Sequence, residues 1–147
     1  SKVPVYRYVY CHPRPNMQLA GKAPGLAGGT VDAKADTPKQ PAAVAAVHSS
    51  DIEYAMGNLS SNPAFPWTTH DYATSEIFQQ IYVNFVKTGN PNGQGVPAWE
   101  EYNNSGDVPA VMLIDENTHQ VKDAGVEARY HAIDKLILDK LAKDKKK

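Results

Sequence analysis

The chain opens with an apolar run and then loses it. Val3-Pro4-Val5-Tyr6-Arg7-Tyr8-Val9-Tyr10 is rich in β-branched and aromatic residues, which predicts a strand largely buried on both faces. Such a strand belongs inside a sheet covered on both sides. From Pro13 to about Val44 the pattern dissolves: Pro13, Pro15, Pro24, Pro38 and Pro41 alternate with Gly21, Gly25, Gly28 and Gly29, and large apolar residues are few. This predicts a long loop, with room for a helical turn in its alanine-rich part. Loops of that length within a domain are uncommon and are often functional. Periodicity returns at Asp51 to Leu59 as a short helix or turn. It becomes regular from Asp71 to Lys87, where Ile77, Phe78, Ile81, Tyr82, Phe85 and Val86 recur at helical spacing and predict a helix with one apolar core face. Asp71 suits its N-cap, and Gly89 marks its stop.

Asn90-Pro91-Asn92-Gly93 reads as a turn. Trp99 and Tyr102 follow and are expected to anchor that turn at the surface. Val108 to Ile114 predicts a second strand, ended by Asp115-Glu116-Asn117. Glu127 to about Lys143 predicts a final amphipathic helix, with Tyr130, Ile133, Ile137 and Leu141 on one face. There is no internal repeat. The fold class is therefore α/β, with too few strands to complete the sheet that the first one needs.

Composition narrows the class. The 147 residues suit one domain, and 41% apolar with 21% charged residues describes a globular chain. Fifteen basic residues against sixteen acidic ones give a formal charge of −1, so no electrostatic case exists for nucleic acid or a membrane surface. Residues 143–147 form the one charge run and are expected to be a frayed basic tail. No run reaches the ~18 apolar residues of a membrane helix. The lone Cys11 has no disulfide partner in this chain and reads as a small core residue. Ser1 lies close to the first strand, so it is expected to be an internal or processed start.

Little in the chain is chemically suggestive by spacing alone. The five histidines (His12, His48, His70, His119, His131) include no metal-ligand pair, and neither H-E-x-x-H nor C-x-x-C occurs, so neither a metal nor a cofactor is expected. Gly28-Gly29 lacks the surroundings of a phosphate loop. His48 differs from the other histidines in context. It follows the small residues Ala45, Ala46 and Val47 on a loop, and a short polar stretch then leads into Ile52-Glu53-Tyr54. A loop histidine late in the chain order serine, acid, histidine is what an α/β-hydrolase triad requires.

Two motifs then make a family resemblance specific. Ala46, His48, Asp51, Ile52, Tyr54, Gly57, Asn58 and Leu59 stand in step with the catalytic-histidine segment of type-B carboxylesterases, the carboxylesterase/cholinesterase branch of the α/β-hydrolases. Ile81 to Asn92, containing Asn84-Phe85, Lys87-Thr88-Gly89-Asn90-Pro91-Asn92, is similar to that family's late helix end, and Pro97-Ala98-Trp99 to Tyr102 follows in order. Nearly the whole chain from Val3 onward resembles the C-terminal part of such an enzyme, which implies the C-terminal portion of an α/β-hydrolase fold, a mixed sheet with flanking helices, completed by an upstream chain or segment. Ala55-Met56 departs from the pattern, and residues 14–44 form a longer link, or an insertion near the active-site mouth.

The resemblance implies that His48 is the general base and acid of a serine carboxylic ester hydrolase. It implies that Tyr54 and Met56 line the substrate pocket. No G-x-S-x-G occurs in this chain. Ser49 and Ser50 lie on no nucleophile elbow, and Asp51 is expected to cap the short helix rather than complete a triad. The nucleophile, acid and oxyanion hole are thus expected on an upstream chain or segment. The partners implied are that N-terminal portion and a small-molecule ester. The resemblance favours a secreted or periplasmic location over a cytoplasmic one. The alternative within the family is a catalytically inactive cholinesterase-like interaction domain; outside it, a small binding module that folds alone.

Overall fold

The computed structural model describes residues 3–25, 30–34, 41–102, 108, 110–122 and 124–144, the side chains of 124–127 excepted. Gly28-Gly29 and Lys145–Lys147 of the expected tail lie outside them, as do parts of the expected loop and of the segment before the second strand.

A three-stranded mixed sheet forms the body. Strand β1 (Tyr8–Tyr10) runs parallel to β4 (Ala110–Ile114), with Tyr8 opposite Met112, and β5 (His119–Lys122) pairs antiparallel on the far side of β4. The backbone N–H of Cys11 extends the first pairing to Ile114 O at 2.9 Å. Central β4 buries Ala110, Met112 and Ile114 on one face, the period-2 pattern of a half-covered strand. By contrast β1 uses only the end of its apolar run, and among the described residues nothing pairs its outer edge. Val9 stays 50% exposed. The expectation of burial on both faces therefore fails in this chain, because the layer that would cover it is not among the described residues.

Between β1 and β4 lie a hairpin and two helices. The loop predicted over 14–44 holds an antiparallel hairpin, β2 (Lys22–Pro24) with β3 (Thr30–Asp32), closed at its base by Ala33 N–H on Gly21 O at 2.9 Å. The described part of the alanine-rich stretch, 41–47, forms no helical turn. Helix α1 (Ile52–Met56) is one turn long and continues into a 3-10 turn at Leu59–Ser61. Helix α2 (Thr69–Thr88) is the long one.

The start of α2 corrects its predicted cap. Thr68 occupies the N-cap and Asp71 the third helical position, and the two exchange bonds in a capping box. Thr68-Thr69-His70-Asp71 carried that signal, one turn earlier than the apolar stripe suggested. Gly89 ends the helix with φ +74°.

The core gathers Tyr54, Leu59, Phe78, Ile81, Trp99, Met112 and Ile114, with Tyr6, Tyr10 and Trp67 packed around them. Phe78 stacks on Tyr10 at 5.6 Å between ring centroids and is wholly buried, worth roughly 1.5–3 kcal/mol of transfer free energy. Two expectations change here. Trp99 is a core residue, because the Asn92 side chain bonds both its N–H and its carbonyl (2.7 and 2.9 Å) and turns the indole inward. Tyr82, Phe85 and Val86 are exposed, since the face of α2 that meets the sheet is narrower than the apolar stripe. Cys11 is half-buried, and its thiol is pushed up by burial and by Asp115, so it is no ready nucleophile.

Helix α3 (Ala124–Asp144) begins a few residues before its predicted start. Its row Tyr130, Ile133, Ile137 and Leu141 is exposed, touched by the Arg7 guanidinium 5.8 Å from the Tyr130 ring. No described helix is long and apolar enough to cross a membrane.

Candidate active site around the His48 loop

His48 sits on an exposed turn at the mouth of α1. The turn is tight. Ser49 adopts φ +62°, the one described non-glycine residue in the left-handed region, and Ser50 N–H bonds Val47 O at 3.1 Å. A non-glycine residue held there costs free energy, and such positions cluster at functional sites. No described side chain is hydrogen bonded or ion paired to the His48 imidazole.

The residues just after His48 anchor it. Asp51 occupies the N-cap position with helical dihedrals and makes no side-chain cap, contrary to expectation. Glu53 and Tyr54 turn inward instead. Glu53 is buried against Arg14, whose Nη1 donates to its two oxygens at 3.4 and 3.5 Å, and Asn62 donates to Oε1 at 3.4 Å. Arg14 also stacks over Phe65 at 4.4 Å. Ser75 of α2 donates to the Tyr54 carbonyl at 2.8 Å. Gly57 then ends α1 at φ +67°, letting Asn58 N–H reach Glu53 O at 3.1 Å; a Cβ there would also run into the Gln79 side chain. The Gly57-Asn58 pair of the motif is thus a C-cap.

The Tyr54 hydroxyl donates to Asp71 Oδ1 at 2.5 Å. His12 Nε2 donates to the same oxygen at 3.0 Å, while Thr68 N–H and hydroxyl share Oδ2 at 2.7 and 2.6 Å. A buried His–Asp pair is therefore present, and it is His12–Asp71. It is a sealed pair. His12 is 6% exposed, with its ring edge-on to Tyr54 at 5.4 Å, so no reacting atom can approach it. Its role is to tie the exit of β1 to the start of α2, with Tyr54 of the His48 loop clamped between.

Burial pushes the Asp71 carboxyl up, but the bonds from Thr68, Tyr54 and His12 outweigh it and hold the group below the ordinary carboxylate range. The folded state then binds the Asp71 proton less readily than the unfolded chain. Its contribution to stability is complete above the unfolded value, ~3.9, and is lost as pH falls through the folded value. In urea unfolding from pH 5 down to 2, the stability gap between wild type and Asp71→Asn should narrow below about pH 4. A gap constant across that range would remove this role from Asp71.

Of the two residues expected to line the pocket, Met56 is 72% exposed beside the His48 turn. Tyr54 is wholly buried in this chain, packed among Tyr10, His12 and Trp67. Arg14, Glu53, Asp71 and Ser75, which hold the loop, carried no chemical signature in the sequence; only the capping pattern pointed to Asp71. Among the described residues no group of three or more His, Cys, Asp or Glu is placed to hold a metal ion.

A parallel β1–β4 pair flanked by helices, with a histidine loop beside it, is part of a larger α/β-hydrolase fold. The Carboxylesterase family profile matches residues 1–133, and the chain belongs to that family. It is 34% identical over 70 residues to carboxylesterase 5A of Canis lupus familiaris, covering 45% of this chain and 12% of that protein. It is 38% identical over 60 residues to esterase cest-33 of Caenorhabditis elegans, covering 40% and 11%. Among solved structures it is similar to PNB esterase, with TM-score 0.58, 21% identity and coverage of 86% of this chain and 21% of that one. An esterase from anaerobic Clostridium hathewayi gives TM-score 0.55 at 20% identity, over 80% and 18%. At these identities the structural likeness is one of fold. The chain spans about a tenth of the length of these curated relatives and about a fifth of these solved structures.

Proposed function

We propose that this chain is the histidine-bearing part of a type-B carboxylesterase, a serine-type carboxylic ester hydrolase, with His48 as its general base and acid. The observation that carries this reading is the build of the loop. His48 is exposed on a turn with a left-handed Ser49, and the helix that follows the turn is locked by Arg14–Glu53 and Tyr54–Asp71. A base has to be both accessible and held in place.

The imidazole would accept the proton of a serine hydroxyl as that oxygen attacks the ester carbonyl, then deliver it to the leaving alkoxide. An imidazole ring can both take up and release a proton at nitrogen, which suits both directions of transfer. The serine, the acid that fixes the His48 tautomer and the oxyanion-hole donors would come from an upstream portion of the enzyme, on a partner chain or the same one. The edge of β1, unpaired among the described residues, and the exposed apolar row of α3 support such a completion. Met56 would contact substrate, while Tyr54 would act from beneath by holding the turn.

A fluorophosphonate probe applied to the assembled protein tests this. It should label one serine, outside these 147 residues and within a G-x-S-x-G peptide, in step with loss of p-nitrophenyl acetate hydrolysis. An assembled protein with no labelled serine would instead be the inactive, cholinesterase-like interaction domain.

A further inference from the structure

Asn92-Gly93 lies in the turn after α2, and two separate demands of the fold fix the pair. Position 92 needs an acceptor and donors on one short side chain. Asn92 Oδ1 accepts from the Trp99 N–H at 2.7 Å, while Nδ2 donates to Trp99 O at 2.9 Å and to Asn90 Oδ1 at 2.8 Å. The backbone donor at Trp99 settles which side-chain atom is the oxygen. A carboxylate in its place would be acceptor only. Position 93 needs the absence of a side chain. A Cβ on Gly93 would stand 2.6 Å from Asn84 Nδ2. Asn84 has little freedom to move, since its Nδ2 donates to Pro91 O at 3.1 Å and its Oδ1 accepts from Gln80 at 2.7 Å.

The pair that meets both demands is chemically labile. The main-chain nitrogen of Gly93, with no Cβ beside it to shield it, can attack the Asn92 side-chain carbon. That bond forms as the Cγ–Nδ2 bond breaks, and ammonia leaves with the proton of the attacking nitrogen. One water then opens the resulting succinimide. Opening at the side-chain carbonyl gives aspartate, and opening at the main-chain carbonyl gives isoaspartate. Departure of ammonia requires Nδ2 to give up both of its acceptors, so the clasp on Trp99 and Asn90 opposes the reaction.

What the clasp holds is central to the core. Trp99 is buried, and its ring meets Tyr6 and Tyr8 edge-on at 5.7 and 6.3 Å. Its indole N–H has no partner among the described residues, which leaves its polar anchoring to the backbone bonds with Asn92. In an aspartate the oxygen replacing Nδ2 would face Trp99 O and Asn90 Oδ1, acceptor against acceptor. Asn90 cannot flip to relieve this without losing the bond its Oδ1 accepts from the Asn92 N–H at 2.9 Å. Isoaspartate also lengthens the main chain by one carbon.

We propose that Asn92-Gly93 is a deamidation site gated by the fold: inert while its side chain clasps Trp99, and converted by water to aspartate or isoaspartate when the turn opens. The product no longer seats Trp99 beneath β1. A chain that stays open is thereby marked covalently as one that folds back poorly.

Two measurements test it, and neither depends on ester hydrolysis. The assembled protein and the same protein in urea are aged side by side at mildly alkaline pH. Peptide mass spectrometry should find amide-to-acid conversion in urea first at Asn92, ahead of the other asparagines. In the folded protein, conversion of Asn92 should be at least ~tenfold slower, the effect of one to two net hydrogen bonds. Asn90→Ala removes one acceptor from the clasp and should close part of that gap. Equal rates in folded and unfolded protein, or conversion in urea no faster at Asn92 than at Asn58, overturns the proposal. The second measurement follows the consequence. Protein refolded after ageing is separated by charge, and hydrogen exchange at the Trp99 N–H should be slow in the intact fraction and fast in the deamidated one. Asn92→Asp, which starts as the product, should show the same fast exchange and a lower unfolding midpoint. A deamidated fraction and an Asn92→Asp protein that both protect the Trp99 N–H as wild type does would overturn the proposal.

Discussion

His48→Ala in the assembled protein is expected to lower kcat toward p-nitrophenyl acetate by roughly four to six powers of ten, with KM changed little. The proton leaving the serine would then have no acceptor, and the alkoxide no donor. In the role proposed for His48, base and nucleophile act as a unit, so this one deletion would forfeit most of what the nucleophile contributes. Stability should hardly move, because the imidazole is exposed and no described side chain is hydrogen bonded or ion paired to it. The informative contrast is His12→Ala. It empties a buried ring site against Tyr54 and strips a donor from Asp71, so it should lower the unfolding midpoint. Any loss of kcat there should recover where the variant is fully folded. If His12→Ala abolished turnover in folded protein while His48→Ala retained it, the base would have to be reassigned to the buried pair. The fluorophosphonate label adds a check, since loss of the base should slow labelling of the serine in parallel with turnover.

The elements that were legible in the sequence are those with a strong local period. The stripe through Phe78 and Ile81, the stop at Gly89 and the apolar run of β4 each correspond to an observed element. The partial α/β-hydrolase fold followed from them together with the two motifs. What escaped was set by tertiary context. The four residues of β5, His119-Gln120-Val121-Lys122, have one β-branched member and owe their strand state to pairing with β4. The hairpin Lys22–Pro24 with Thr30–Asp32 hides among glycines and prolines that read as loop. Trp99 read as a surface anchor of the Asn90–Gly93 turn, yet Asn92 of that same turn is what turns it inward. At the candidate site, His48 could be singled out by motif but its support could not. Arg14 lies 39 residues before Glu53, a separation with no local signal.

That support predicts the second large effect. Glu53→Ala is expected to destabilise the assembled protein by about 3–5 kcal/mol, because it leaves the Arg14 guanidinium buried with no counter-charge. The pair itself contributes far less than this, since both ions were desolvated to form it and the contacts at 3.4–3.5 Å are long. Arg14→Met combined with Glu53→Leu should therefore recover most of the loss. Urea midpoints of the two single variants and the double variant separate these terms. Glu53 is also the first buried residue after the helix N-cap, five positions from His48, so the single variant should release the turn as well as the fold. In variant that remains folded, kcat should drop while the fluorophosphonate-reactive serine stays in place, and the double variant should restore stability more fully than kcat, because a packed leucine cannot reproduce the bonds from Arg14 and Asn62 that fix the angle of α1. A Glu53→Ala protein within ~1 kcal/mol of wild type, with unchanged turnover, would mean that the ion pair neither holds α1 nor aims the histidine.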